Sequence, residues 1–589
     1  MNRTSVLALA CAVGLSGLLH APAFAVEYTT ARPLSQVVTA PVKACGTFPQ
    51  LLMPGIAWGA DEATILANGA VVTVPPTGKP FVVTQPGSIF AQEGLSVKFY
   101  REDSVIRQLE DLLACRTPFL RMTDGMLAQA GDVLSRIPVV AIYKLSDSVG
   151  GDVLVVRDRI NELKDIKKVA MQVYGPHVAY FATLMKTAKV DLGSVQIVWV
   201  KDITEGDTSS QYPAKALRED PTVDAAFVIS PDAAALMSDK TESGGVKGAH
   251  DLFSTKLCDT CIADLYVVRK DWADANPQTL QKVVHGLLRA NEATQKLFAE
   301  KATRKDEFEK LMKASAKMLL DDVSLTGPAA DMWGDLRMAG FRGNMQFFTD
   351  DAWPRNFNRV MQGAGEAMTA LKLISKPATF ATAALDYAAL STGLSDAAGV
   401  DVSRWNKVAV EALMRDRKQK GTENDGEKFY LAVPFKREEA KVDASLYVKE
   451  FDEVIDLAAT YGGLLITITG HVDPQSYLKA KYGNGTPKQL SDIRQIANTI
   501  SGKRAFALRD ALLKYAESKG VPLDPNQFEI IGAGFMKSSK PGCKIENGDI
   551  TVSCAASSAL EMQSMRRAEI RAVNVTAEME QFEAIVVKQ

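Results

Sequence analysis

Histidine is scarce in this chain, five in 589 residues, and the four beyond residue 25 (His177, His250, His285 and His471) stand far apart. That scatter offers no zinc-ligand spacing. There is no Gly-x-Ser-x-Gly elbow, no Ser-His-Asp spacing and no phosphate-binding loop, so nothing marks a nucleophilic or nucleotide-dependent enzyme, and no cofactor is implied. An excess of one charge is also missing. The 68 Lys and Arg against 70 Asp and Glu leave a net charge of −2, which argues against a nucleic-acid partner held by phosphate contacts. After residue 25 no segment approaches about 18 uninterrupted apolar residues, so no transmembrane helix is expected there.

What is present is ordinary for globular cores: 47% hydrophobic and 23% charged residues. Residues 1–25 read as a secretory signal. Arg3 supplies a positive start, an apolar run follows from Val6 to Leu19, and Ala23-Phe24-Ala25 fits a small-x-small cleavage site. The rest of the chain suffices for about three or four domains. Seven cysteines become six without Cys11, and six in an exported chain suggest disulfides. Two pairings are locally plausible. Cys543 and Cys554 flank the hairpin signal Asn547-Gly548, and Cys258 and Cys261 enclose a short loop. Cys45 and Cys115 then pair by default.

Between residues 48 and 345, apolar runs at 153–156, 169–173, 195–200 and 225–229 alternate with helical patterns such as 178–186 and 277–296. That alternation predicts an α/β fold with largely parallel sheets. The pattern is mainly helical up to residue 375. Residues 376–428, with a helix expected at 402–418 and then a charged, Gly-containing stretch, read as a linker. From residue 429 the order is strand (429–435), helix from Tyr447 to Ala458, strand (464–469), helix from Ser501, strand (528–531) and last strand (568–575). This predicts a small α+β sheet backed by helices.

Three fragments in that last part carry a resemblance: Gly470-His471-Val472-Asp473, then Ser501-Gly502-Lys503-Arg504-Ala505, then Arg566-Arg567-Ala568-Glu569-Ile570. They resemble the OmpA-like peptidoglycan-binding domain over residues 429–589. The resemblance implies that Asp473 accepts from the ammonium of the diaminopimelate stem and Arg504 grips its carboxylate, with Arg567 also in the site. Placed in the first turn of its helix, Arg504 would be joined there by backbone N–H groups. Val472, Ile500 and Met565 depart from the family pattern. The Asp473–Arg504 gap is 31 positions, about twice the family's, and is filled by residues 474–499.

A second resemblance spans roughly residues 45–345. It rests on Trp58-Gly-Ala-Asp-Glu-Ala-Thr-Ile-Leu-Ala-Asn-Gly69, Gly87-Ser-Ile-Phe-Ala-Gln-Glu-Gly-Leu95, the segment from Asp165 to Tyr180, and the segment from Pro221 to Asp232. In order and spacing these resemble ABC-transporter substrate-binding proteins of the nitrate, sulfonate and taurine type. The resemblance implies a type II periplasmic binding fold in residues 26–375: two α/β lobes, crossing strands and a small ligand in the cleft. Strand ends and helix N-termini then select Trp58, Asp61, Ser146, Ser148, Tyr174, His177, Ser230 and Asp232 as ligand contacts. Four of them also have a plain structural reading. Trp58 and Tyr174 suit a core, and Asp232 and His177 suit helix caps.

Together the resemblances imply a periplasmic, wall-associated solute-binding protein, not an enzyme, with peptidoglycan, a small molecule and an ABC permease as partners. The alternative is an envelope scaffold or sensor, anchored to peptidoglycan, whose α/β module binds proteins.

Overall fold

Runs of β-branched and apolar residues become buried strands, because an extended segment covered on both faces must be apolar throughout. Asp152–Val156 and Ala225–Ile229 are examples, and they sit where the sequence places strands. The computed structural model describes residues 27–574, except 205–210, 239–243, 256–260, 352, 354, 397–406, 438, 461–463, 520, 522, 537–539 and 547–548. The expected signal segment and Cys258 therefore lie outside the described residues.

The N-terminal part holds two groups of sheet. In the first, Leu51–Gly55 pairs in parallel with Val97–Arg101, which is followed by Phe81–Val83 and Val72–Thr73. Alongside runs a sheet ordered Leu336–Met338, Val139–Ser148, Ala263–Arg269 and Phe119–Thr123. The Thr117 hydroxyl donates to the Leu52 carbonyl, and the Tyr266 hydroxyl donates to the Pro54 carbonyl at 3.1 Å, so the two sheets meet edge to edge. In the second group, five strands lie in the order His250–Ser254, Asp152–Val156, Ala225–Ile229, Lys168–Gln172, Gln196–Val200. The last three are mutually parallel.

The chain crosses between these two lobes twice. Val139–Ser148 belongs to the first lobe, and four residues later Asp152–Val156 belongs to the second. The return runs from His250–Ser254 to Ala263–Arg269. A mixed α/β, two-lobed module with crossing strands is thus present. The helix Pro277–Ala299 buries Leu280, Val283, Val284, Leu287 and Leu288 at helical spacing, and Pro277 occupies its first turn, where no N–H is needed.

Residues 376–396, read from the sequence as the start of a linker, instead pack on the first lobe. Ala381–Thr382 pairs with Val139–Ser148, and Phe380, Leu390 and Leu394 are buried. Apolar side chains spaced through an Ala-rich stretch explain this. The helix expected at 402–418 is seen as Lys407–Lys420, with 402–406 outside the described residues.

The C-terminal part is a four-stranded sheet ordered Glu427–Pro434, Arg567–Asn574, Leu464–Gly470, Phe528–Gly532. Helices Val448–Thr460 and Pro487–Ser518 cover one face. One expectation is corrected here. Ser501 does not start a helix. Thr486 does, through a reciprocal capping box with Gln489 and with Pro487 in the first turn, and the helix runs on past Ser501. Gly470 and Gly532 allow this long helix to lie against the sheet: a Cβ on Gly470 would overlap the Ser501 carbonyl, and one on Gly532 would come within 2.9 Å of the Asn498 carbonyl oxygen. The inserted residues 474–499 form helix Gln475–Tyr482 and the early turns of the long helix. They enclose a small separate core of Tyr477, Leu478, Phe535 and Ile550.

Two of the expected disulfides, Cys45–Cys115 and Cys543–Cys554, are formed, the latter closing the hairpin Ile545–Glu546/Asp549–Ile550. The Cys258–Cys261 candidate falls partly outside the described residues. Within those residues no helix is long and apolar enough to cross a membrane.

Candidate functional site at the lobe crossing

Where the chain crosses between lobes, the strand interiors carry charge. Phe119–Thr123 is buried throughout yet contains Arg121, and Ala263–Arg269 is buried throughout yet contains Asp264. A buried charge needs a partner, and these two supply each other. Arg121 Nη1 donates to Asp264 Oδ1 at 2.8 Å, and Arg121 Nη2 lies 3.0 Å from Asp61 Oδ2. Burial raises the pKa of both aspartates, and Arg121 works against that rise. Burial would lower the guanidinium pKa, but Asp264 and Asp61 together outweigh it, so Arg121 stays charged.

The network extends outward from that triad. Ser146 Oγ donates to Asp264 Oδ2 at 2.8 Å, and the Trp58 indole N–H donates to Ser146 Oγ at 3.2 Å. Trp58 then reaches the crossing loop, so that a Cβ on Gly151 would come within 2.5 Å of its ring. Three residues expected to share a site (Trp58, Asp61 and Ser146) are brought together, but through Arg121 and Asp264, which the sequence reading missed. The available signal was a charge interior to a largely apolar strand, Arg121 in one and Asp264 in the other.

A second cluster clasps the same crossing. His177 Nε2 lies 2.6 Å from Asp152 Oδ1, Ser148 Oγ donates to Asp152 Oδ2 at 2.6 Å, and the Ser148 and Thr255 hydroxyls are 2.8 Å apart. The His177 ring stacks on Phe227. The contact order is Ser–Asp–His, with the carboxylate in the middle. The imidazole therefore does not face the hydroxyl, and the group is a clasp rather than an activated nucleophile. Asp152 and Thr255 were not foreseen.

The other expected contacts divide: Ser230 stays at the crossing, where its N–H donates to the Gly151 carbonyl at 2.9 Å, and Tyr174 leaves it. Tyr174 sits at φ +63° in the turn before helix His177–Thr187, and its hydroxyl donates to the Arg32 carbonyl at 2.7 Å, away from the crossing. Ser230 Oγ donates to Asp335 Oδ2 at 2.6 Å, tying the second lobe to the segment after helix Thr326–Met332. Asp232 occupies the first turn of helix Ser230–Leu236.

In the C-terminal part, Asp473 pairs with Arg566 at 2.6 Å. Arg504 is shielded, and its guanidinium donates to three main-chain carbonyls: Glu439 at 3.0 Å, His471 at 2.8 Å and Lys436 at 3.0 Å. It lies roughly four to five turns inside its helix, so helix-terminus N–H groups do not assist it. Burial, helped by Arg566 and opposed by Asp473, lowers its pKa to about 10. Arg567 turns to the opposite face of the sheet and pairs with Glu569 at 2.6 Å, since neighbouring residues of a strand face opposite ways. Among the described residues, no group of three or more His, Cys, Asp or Glu is placed to hold a metal ion.

No protein-family model matches the chain, and no curated protein does. Among solved structures, it is similar to the periplasmic aliphatic sulphonate binding protein SsuA of Escherichia coli at 13% identity, with a TM-score of 0.38, over 56% of this chain and 90% of that one. The alkanesulfonate-binding protein SsuA of Xanthomonas axonopodis pv. citri, bound to MOPS, aligns at 13% identity and a TM-score of 0.37, over 57% and 97%. The periplasmic nitrate-binding protein NrtA of Synechocystis PCC 6803 aligns at 13% and 0.33, over 48% and 69%. These scores lie below 0.5, and the two-lobed description rests on strand order and pairing.

Proposed function

We propose that the chain is an exported, non-catalytic solute-binding protein of the periplasm, whose two lobes close on a small organic or anionic ligand at the crossing strands. Its C-terminal part holds it to peptidoglycan, and an ABC permease receives the solute. The observation that carries the first part is the double crossing between two α/β sheets, lined by Trp58, Ser146 and Ser148 at the strand ends. The two disulfides accord with an oxidising compartment.

For the wall anchor, the support is the sheet order together with Gly470-His471-Val472-Asp473 at the end of an inner strand. The Asp473–Arg566 ion pair is partly exposed at that end. A zwitterionic stem can displace such a pair by matching it charge for charge, its ammonium to Asp473 and its carboxylate to Arg566. This moves the carboxylate contact from Arg504 to Arg566.

The test is native mass spectrometry of protein purified from the periplasm, before and after denaturation, with co-sedimentation on diaminopimelate-type peptidoglycan. A small-molecule mass lost on denaturation, and pelleting abolished by Asp473→Ala or Arg566→Ala, are expected. Undiminished pelleting of both variants overturns the anchor.

One observation favours a second reading, an envelope scaffold or sensor. Trp58 already rests on Gly151, and both Asp152 carboxylate oxygens are taken, one by Ser148 Oγ and one by His177 Nε2, without a ligand. Absence of any thermal shift across sulfonates, carboxylates and heteroaromatics would select that reading.

A further inference from the structure

The face of the C-terminal sheet turned away from the long helix encloses a cavity of about 240 Å³. Strand alternation creates it. Ile466, Ile468, Ile570 and Ala572 face the helices, so Thr467, Thr469, Arg567, Glu569 and Arg571 face the other way. Such an outer face is ordinarily wet. Here helix Lys407–Lys420 and the loop after it lie over it, with Met414 and Lys418 on the cavity wall.

Polar side chains are consequently shut in. Thr467 is 7% exposed and Arg567 9%. Arg567 Nε donates to Glu569 Oε1 at 2.6 Å, and Arg571 Nη2 approaches Glu569 Oε2 at 3.6 Å, so that carboxylate is spoken for. Burial would raise the Glu569 pKa, but His471 and Arg567 outweigh it and hold it at about 2. Arg567 Nη1 and Thr467 Oγ1, by contrast, are buried on this face and make no hydrogen bond. A buried guanidinium N–H without an acceptor forfeits the hydrogen bond that water gives it in the unfolded chain. Both residues line the same cavity, Thr467 opposite Arg571 and Arg567 four positions further along its strand, and each points to a missing partner.

The wall's other charges define the rest of the ligand. Lys418 and Arg571 are balanced by Glu529 and Glu423. A doubly charged anion would meet those carboxylates, whereas a single carboxylate attached to hydroxyl or ammonium donors satisfies both signs. The volume, below the roughly 300–1,000 Å³ of drug-sized pockets, suits a molecule of amino-acid size.

We propose that this cavity binds a small hydroxy- or amino-carboxylic acid, with its carboxylate accepting from Arg567 Nη1 and its hydroxyl or ammonium end meeting Thr467 Oγ1. The site is separate from the lobe crossing and lies on the sheet face opposite the long helix. Its roof is the helix that connects the two parts of the chain, so occupancy holds that helix on the sheet.

The experiment uses residues 26–589, titrated with lactate, glycerate and alanine by ligand-observed NMR and calorimetry, with inorganic phosphate as the contrasting anion. At least one carboxylate should bind saturably, and phosphate should not. Thr467→Val, which keeps the side-chain shape, and Arg567→Lys should each weaken binding about tenfold or more. Hydrogen exchange should slow at Leu464–Gly470 and Arg567–Asn574. No saturable binding, equal binding of phosphate, or binding undiminished in both variants overturns the proposal. So does slowing confined to Val139–Ser148, which would place the probe between the lobes.

Discussion

Arg121 and Asp264 meet at 2.8 Å on adjacent antiparallel strands, both shielded from solvent and offset diagonally, because Arg121 lies opposite Tyr266 and Asp264 opposite Thr123. Asp61, at the start of helix Asp61–Ala67, closes the triad. Removing the single cation leaves two buried carboxylates. Arg121→Met should cost the N-terminal module about 3–5 kcal/mol, read from its urea transition by tryptophan fluorescence, and replacing both aspartates by Leu as well should recover much of that loss. An Arg121→Met protein as stable as its parent would refute the buried triad.

Two other buried acids give the same module a pH signature. Burial pushes Glu62, beside Ser315, well above the usual range, and burial pushes Asp124 up to about 6 despite Arg355. Between the ordinary carboxylate pKa of about 4 and these raised values, the folded state binds more protons than the unfolded one. Stability must then fall as pH rises through about 4 to 6. Glu569 has the opposite sign: its contribution is full above about 4.5 and is lost as pH falls toward 2. Scanning calorimetry should show the N-terminal transition strengthening and the C-terminal one weakening as pH drops from 6 to 3. Glu62→Gln should flatten the first trend.

Gly151→Ala places a methyl group against the Trp58 ring. Something must shift, at a cost of about 1–3 kcal/mol. The readout is the Trp58 emission, obtained as the difference from a Trp58→Phe background. A red shift, with weaker binding of whatever ligand the native protein carries, is the expected result. Unchanged emission would mean that the lobes do not touch there.

Arg504→Lys tests position against recognition. Lysine cannot serve three carbonyls in the plane that the guanidinium serves. The C-terminal transition should drop by about 2–4 kcal/mol, while wall pelleting at low temperature persists. Lost pelleting with unchanged stability would return Arg504 to the role that its sequence motif suggests.

Much of this architecture was readable from periodicity. The runs at 153–156, 169–173, 195–200 and 225–229 are strands because β-branched residues in short apolar runs have one economical arrangement, and Pro277 marks a helix start by its lack of an N–H. The Thr486 capping box with Pro487 is equally legible in the sequence, as a stronger helix start than Ser501. The site was legible only in fragments. Trp58, Asp61 and Ser146 were chosen for their places at element ends, while Arg121 and Asp264, which join them, stand 143 positions apart.

Local sequence therefore determined the elements, the hairpin closed by Cys543–Cys554 and the alternation that sends Arg567 and Arg566 to opposite sides. Those depend on neighbours a few residues apart, where chain geometry leaves little choice. Tertiary structure alone decided that Asp473 takes Arg566 rather than Arg504, that Asp152 stands between Ser148 and His177, and that helix Lys407–Lys420 roofs a polar sheet face. Apart from Ser148 with Asp152, those join segments distant in sequence. Which charge finds which partner is set by the packing of whole layers, and burial then makes each pairing obligatory.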